Sequence, residues 1–174
     1  LLAALADGAG DNVHGVLFDR VVRGRGTGAR GTALLPAIVE AMAPIEPTLI
    51  DTDWDAALAQ AASFTTRPSL VVLLTALDVA GASRGLLGAL PALTRRTRVV
   101  VGSVTDADLP RLAATRTTSD EVWLAASVER TLLDAARLSA AIGRLGADAL
   151  SAGPEDLPPR IADRYLELKA AGRL

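Results

Sequence analysis

The chain has 174 residues, half of them hydrophobic, and a mean hydropathy of +0.32, which supports one folded unit with a buried core and excludes a disordered chain. Lys and Arg number 18 against 20 Asp and Glu, a formal charge of -2, so no strong basic field exists to draw nucleic acid. With no Cys, a single His (His14) and 3% aromatics, the chain lacks disulfides, thiolate nucleophiles, multi-histidine metal sites and base-stacking platforms.

Leu1 to Ala6 is apolar, lacks a basic n-region and runs into Asp7-Gly8-Ala9-Gly10-Asp11, which reads as a helix end with a glycine stop. A start in mid-helix without Met leads us to expect further residues upstream. Val13 to Phe18 is a short apolar run, and Asp19-Arg20 followed by Val21-Val22-Arg23 reads as a turn into a second short strand, predicting a strand pair. Gly24 to Gly31 is a glycine-rich connection. Thr32 to Met42 then carries Leu34, Leu35, Ile38, Val39 and Met42 at helical spacing, with Thr32 as its cap and Pro44 and Pro47 as its stop.

Asp51-Thr52-Asp53 supplies N-cap residues for a helix over Trp54 to Ser63. Ser69 to Thr75 is a continuous apolar run without alternation, the pattern of a strand buried on both faces. Leu86 to Leu93 repeats the helix, and Arg98 to Val104 repeats the doubly buried strand. This order predicts a parallel sheet with right-handed crossovers. Val122 to Leu145 reads as a long helix, Ala147 to Ala152 as a last strand, and Pro154 to Leu174 as a closing helix. The longest apolar-rich stretches, such as Ser69 to Leu77, fall far short of the roughly 20 residues that span a bilayer, so no membrane span is expected within the chain. The economical reading is one doubly wound, mainly parallel α/β domain over residues 1–174. Helices cover both faces, and the functional edge lies at the strand C-termini near Thr75, Ala76, Thr105 and Asp106.

Three motifs invite chemistry. Gly26-x-Gly28-x-x-Gly31 matches the dinucleotide fingerprint, with Asp51 about 20 residues beyond it. The strand feeding it is short, however, and Thr32 stands where a P-loop needs Lys. A small-molecule or dinucleotide-binding α/β enzyme built on residues 24–31 is the alternative reading, with a flexible loop as the plainer one. Gly81-Ala82-Ser83-Arg84-Gly85 matches the nucleophile-elbow string, but that arrangement needs an acid and then a His downstream, and His14 lies upstream. Ser83 therefore reads as the N-cap of the Leu86 helix, and His14 as structural. Asp51, Asp53 and Asp55, and separately Asp106 and Asp108, offer oxygen ligands to a hard cation, but the first group also fits a helix cap and the second a turn.

Gly10-Asp11-Asn12-Val13-His14-Gly15-Val16-Leu17-Phe18-Asp19, Thr52-Asp53-Trp54-Asp55-Ala56-Ala57-Leu58, Ser69 to Thr75, Val122-Trp123-Leu124-Ala125-Ala126 and the terminal Tyr165-Leu166-Glu167-Leu168-Lys169-Ala170-Ala171-Gly172-Arg173-Leu174 form an ordered series. With them the chain resembles the C-terminal, von Willebrand factor A-like region of the bacterial domain-of-unknown-function family fifty-eight. The resemblance implies a non-enzymatic, cytoplasmic adaptor domain that partners a MoxR-type AAA+ ATPase in the assembly or maturation of other proteins, with upstream segments as a route to a membrane anchor. It also implies a central first strand that these residues do not supply, whose loss exposes unpaired edges on both neighbours. Such domains often hold Mg²⁺ on a D-x-S-x-S string, a loop Thr and a later Asp. Here Thr52 matches the loop Thr, Ala76 stands where the later Asp is usual, and no D-x-S-x-S string occurs. The implied metal site is thus incomplete, with Thr52 and Asp53 as its remaining ligands and Asp78 as a substitute. The implied partner-binding residues are Thr52, Asp53, Ala76, Asp78 and Asp106.

Overall fold

The structure, a computed structural model, describes all residues except 27, 47, 49, 65–67 and 78–81, and leaves the side chains of 82–84 undescribed. Helix α1 (Leu2–Gly8) ends at the expected glycine stop, with Gly10 at φ +84°. The predicted strand pair forms as β1 (Gly15–Phe18) and β2 (Val22–Gly26), antiparallel. Gly24 to Gly26 thus belong to the strand and not to the connection. At Gly24 and Gly26 the lack of a side chain is a packing requirement: a Cβ on Gly24 would lie 2.6 Å from the carbonyl oxygen of Ala41, in helix α2 (Leu34–Met42), which lies across β2. Thr32 sits in a single 3-10 turn, Gly31–Ala33, ahead of α2 and makes no side-chain cap, contrary to the expected role.

Helix α3 (Trp54–Ser63) begins where expected, with the Asp53 side chain accepting from the Ala56 amide at 3.0 Å. Then come β3 (Leu70–Leu74), α4 (Ala82–Thr94) and β4 (Arg98–Val104). They are followed by α5 (Leu109–Ala114), α6 (Ser119–Arg144), β5 (Asp148–Ala152) and α7 (Leu157–Ala170). Three of these helix starts differ from the sequence reading, α7 among them, which begins at Leu157 and not at Pro154. α4 begins at Ala82, so Ser83 falls inside its first turn and not at its cap. α6 begins three residues before Val122, because Thr118 and Glu121 form a reciprocal capping box.

β3, β4 and β5 form a parallel sheet in that order. α4 and α6 pack on one face around Leu86, Leu90, Val99, Val101 and Ile142, and α3 adds Leu58 to the same cluster. Crossovers of one hand, adding strands in one direction, place both helices on one side. α7 covers the other face, where Ile161 and Leu157 meet Ala152, and Leu2 of α1 packs on that cluster. The result is an α/β fold with a parallel sheet between helices, compatible with a doubly wound architecture. Among the described strands only β4 is buried on both faces. Among the described residues β3 pairs with β4 alone, so the expectation of double burial fails for it: its residues are half-buried and Leu74 is 72% exposed. β1 and β2 remain a separate two-stranded sheet.

Candidate functional site

The carboxyl ends of β3 and β4 lie side by side. The Thr75 amide donates to the Gly102 carbonyl at 3.0 Å, and the Leu77 amide donates to Ser103 Oγ at 3.2 Å. Leu77 and Ser103 are both buried, so this pair of bonds anchors the loop and leaves Ala76 between them exposed to solvent. On β4 the Thr105 amide donates to the Ala152 carbonyl at 2.8 Å. Asp106 Oδ1 then accepts from the Asp108 amide at 2.9 Å, the turn expected of this pair, and Asp108 accepts from Arg111. Leu74 and Val104 share the α7 face of this edge, as the period of two dictates, and both are exposed, Val104 by 61%.

Thr52 and Asp53 approach from a different direction. The Asp53 amide donates to the Asp19 carbonyl at 2.9 Å and Arg20 Nε donates to the Asp51 carbonyl at 3.3 Å, so the segment rests on the β1–β2 turn. Asp19 closes that turn, accepting from the amides of Val21 and Arg20 and from Arg23 Nε at 2.7 Å. The Val21 amide foremost, then the Arg23 side chain, lowers its pKa to about 2. Trp54, next to Asp53, lies against Gly85 near the start of α4, where an added Cβ would come within 2.9 Å of the indole Cδ1. The structure therefore puts Ala76 and Asp106 on one edge and Thr52 and Asp53 beside the neighbouring helix start. Among the described residues no hydrogen bond joins the two pairs, and Asp78 lies outside the described residues.

The donor set does not fit Mg²⁺, which requires near-octahedral oxygen ligation, several of the oxygens commonly anionic. Asp53 Oδ1 already caps α3, and among the described residues no group of three or more His, Asp or Glu stands together as a metal cradle. The glycine-rich segment is likewise engaged elsewhere. β2 belongs to an antiparallel pair, not to the parallel βαβ unit of the fingerprint, and the Gly31 amide donates to Asp7 Oδ2 at 2.8 Å. A carboxylate thus occupies the donor that a phosphate would seek. His14 stacks on Phe64 with ring centroids 5.2 Å apart, a packing role. Sequence reasoning missed Ser103, whose buried hydroxyl organises the edge. Its only signal was a polar residue within the apolar run of β4.

The class defined by this geometry is a parallel α/β protein whose exposed strand-end loops carry turns and no assembled acid-base pair among the described residues. No family model, curated protein or solved structure matches the chain. Among the described residues no helix is long and apolar enough to cross a membrane.

Proposed function

We propose that this chain is a von Willebrand A-like adaptor domain of the family-fifty-eight type, acting in the cytoplasm without catalysis of its own and engaging a MoxR-type AAA+ ATPase through the carboxyl edge of its sheet. The observation that carries the reading is the exposed apolar pair Leu74 and Val104 beside Ala76 and Asp106, since apolar side chains gathered at a polar-rimmed edge mark protein contact surfaces. Thr52 and Asp53, ahead of α3, are a further contact in this reading. A second support is that, among the described residues, β1 and β3 are each paired on one side only, leaving edges that a further strand could join.

The test is co-elution of the purified chain with a purified MoxR-type ATPase, with ATP and with or without chelator. The reading predicts a complex that survives chelator and is lost on Leu74→Asp or Asp106→Arg, variants whose exposed positions leave the core intact. No complex, or one indifferent to both substitutions, would overturn it.

A further inference from the structure

At the opposite end of the parallel sheet, the amino ends of β3 and β4, the turn after α4 and the segment after α7 border an open cavity of about 300 Å³. Among the described residues four of the nine that line it are arginines (Arg95, Arg96, Arg98 and Arg173) and none is Asp or Glu. This is a local concentration of positive charge in a chain whose formal net charge is -2. Elsewhere among the described residues Arg23, Arg111, Arg116, Arg130, Arg137 and Arg164 each face a carboxylate, and Arg20, Arg25 and Arg30 each bond a neutral oxygen. Among the described residues the four cavity arginines have neither an ion pair nor a side-chain hydrogen bond.

Their backbone positions are set by the fold. The amides of Arg96 and Thr97 both donate to the Leu93 carbonyl, at 2.9 and 3.1 Å, in the turn that closes α4, and the Arg98 amide donates to the Ser69 carbonyl at 3.2 Å. Arg173 arrives from the far end of the sequence through the motif that ends α7. Gly172, at φ +63°, donates to the Lys169 carbonyl at 3.0 Å and Arg173 donates to that of Leu168 at 2.9 Å, the two bonds of a Schellman cap.

All four arginines are exposed to solvent around the cleft, where guanidinium groups favour an anion and their planar forks match phosphate oxygens two at a time. Among the described residues no aromatic side chain lines the cavity, so none there stacks on a ring, and the hydroxyls of Ser69 and Thr94 add neutral donors. We propose that this cavity binds a compact chain of linked phosphates, a di- or triphosphate, at a site separate from the carboxyl edge. Inorganic polyphosphate and the phosphate chain of a nucleotide share this chemistry.

The experiment is titration calorimetry of the full chain with inorganic tripolyphosphate, with ATP and with orthophosphate as parallel ligands. Saturable one-to-one binding of tripolyphosphate is expected, at least tenfold tighter than orthophosphate. It should weaken at least tenfold in Arg96→Gln, Arg98→Gln and Arg173→Gln, and stay unchanged in Arg130→Gln on the outer side of α6. ATP binding as tightly as tripolyphosphate assigns the site to nucleotide phosphate chains, and ATP failing where tripolyphosphate binds assigns it to free polyphosphate. No saturation at millimolar tripolyphosphate, or equal weakening by Arg130→Gln, overturns the proposal.

Discussion

Replacing Gly102 by Ala puts a methyl group into the tightest seam between the sheet and α7. Its Cβ would lie 2.9 Å from Ile161 Cδ1 and 3.0 Å from Leu74 Cδ2, against an optimal carbon–carbon separation of about 3.5–4.0 Å. The exposed Leu74 tip can swing into solvent, but Ile161 is 6% exposed and packs with Leu157 and Ala152, so it must leave its rotamer or push α7 outward. Overpacking costs about 1–3 kcal/mol, while removing a glycine's unfolded-state freedom returns about 0.4–1 kcal/mol. The net loss is then about 1–2 kcal/mol, a Tm lowered by roughly 2–8 °C for a chain of this size. Ile161→Val deletes the atom in the way. Alone it costs about 0.5–1.5 kcal/mol, yet combined with Gly102→Ala it should recover about 1 kcal/mol of the loss. Urea denaturation of the wild type, both single variants and the double variant closes the cycle. Additivity within about 0.3–0.5 kcal/mol would refute the steric account.

Asp53→Ala removes the cap of α3 and should cost about 1 kcal/mol, lowering Tm by about 2–4 °C, whereas Asp53→Asn keeps the cap. Loss of partner binding in the Asn variant at unchanged Tm would mark Asp53 as contact surface, read by melting and co-elution together. Tyr165→Phe deletes a hydroxyl that donates to Asp11 at 2.5 Å and accepts from Lys169 at 3.0 Å. A destabilisation of about 1–2 kcal/mol is expected, with amide exchange over Leu2–Gly8 rising first because this cluster ties α1 to α7. Asp19, held near 2 by the Val21 amide and Arg23, supports the β1–β2 turn only when ionised. Its contribution is complete above the ordinary carboxylate pKa near 4 and fades as pH falls towards 2. The Tm difference between wild type and Asp19→Asn should shrink across that window, and a constant difference would contradict the assignment.

The local pieces of this fold were readable from the chain alone because their causes lie within a turn or two of each residue. The glycine stop after α1, the Asp53 cap, the strand pair around Asp19-Arg20 and the buried run Val99 to Val101 all belong here. So does the Asp106–Asp108 turn of the candidate site. What the sequence could not settle is which of two apolar runs gains a second neighbour. Leu70 to Leu74 and Val99 to Val101 look alike in composition, yet β4 is central and β3 an edge, because pairing depends on surfaces far apart in sequence. Gly26, Gly28 and Gly31 spelled a phosphate-binding fingerprint until β2 was seen paired antiparallel with β1, and Thr32 lost its capping role to a 3-10 turn. Arg173 joins Arg95, Arg96 and Arg98, and Asp11 meets Tyr165 154 residues away. Such meetings follow from which faces the helices bury against the sheet, a choice made by the whole chain at once.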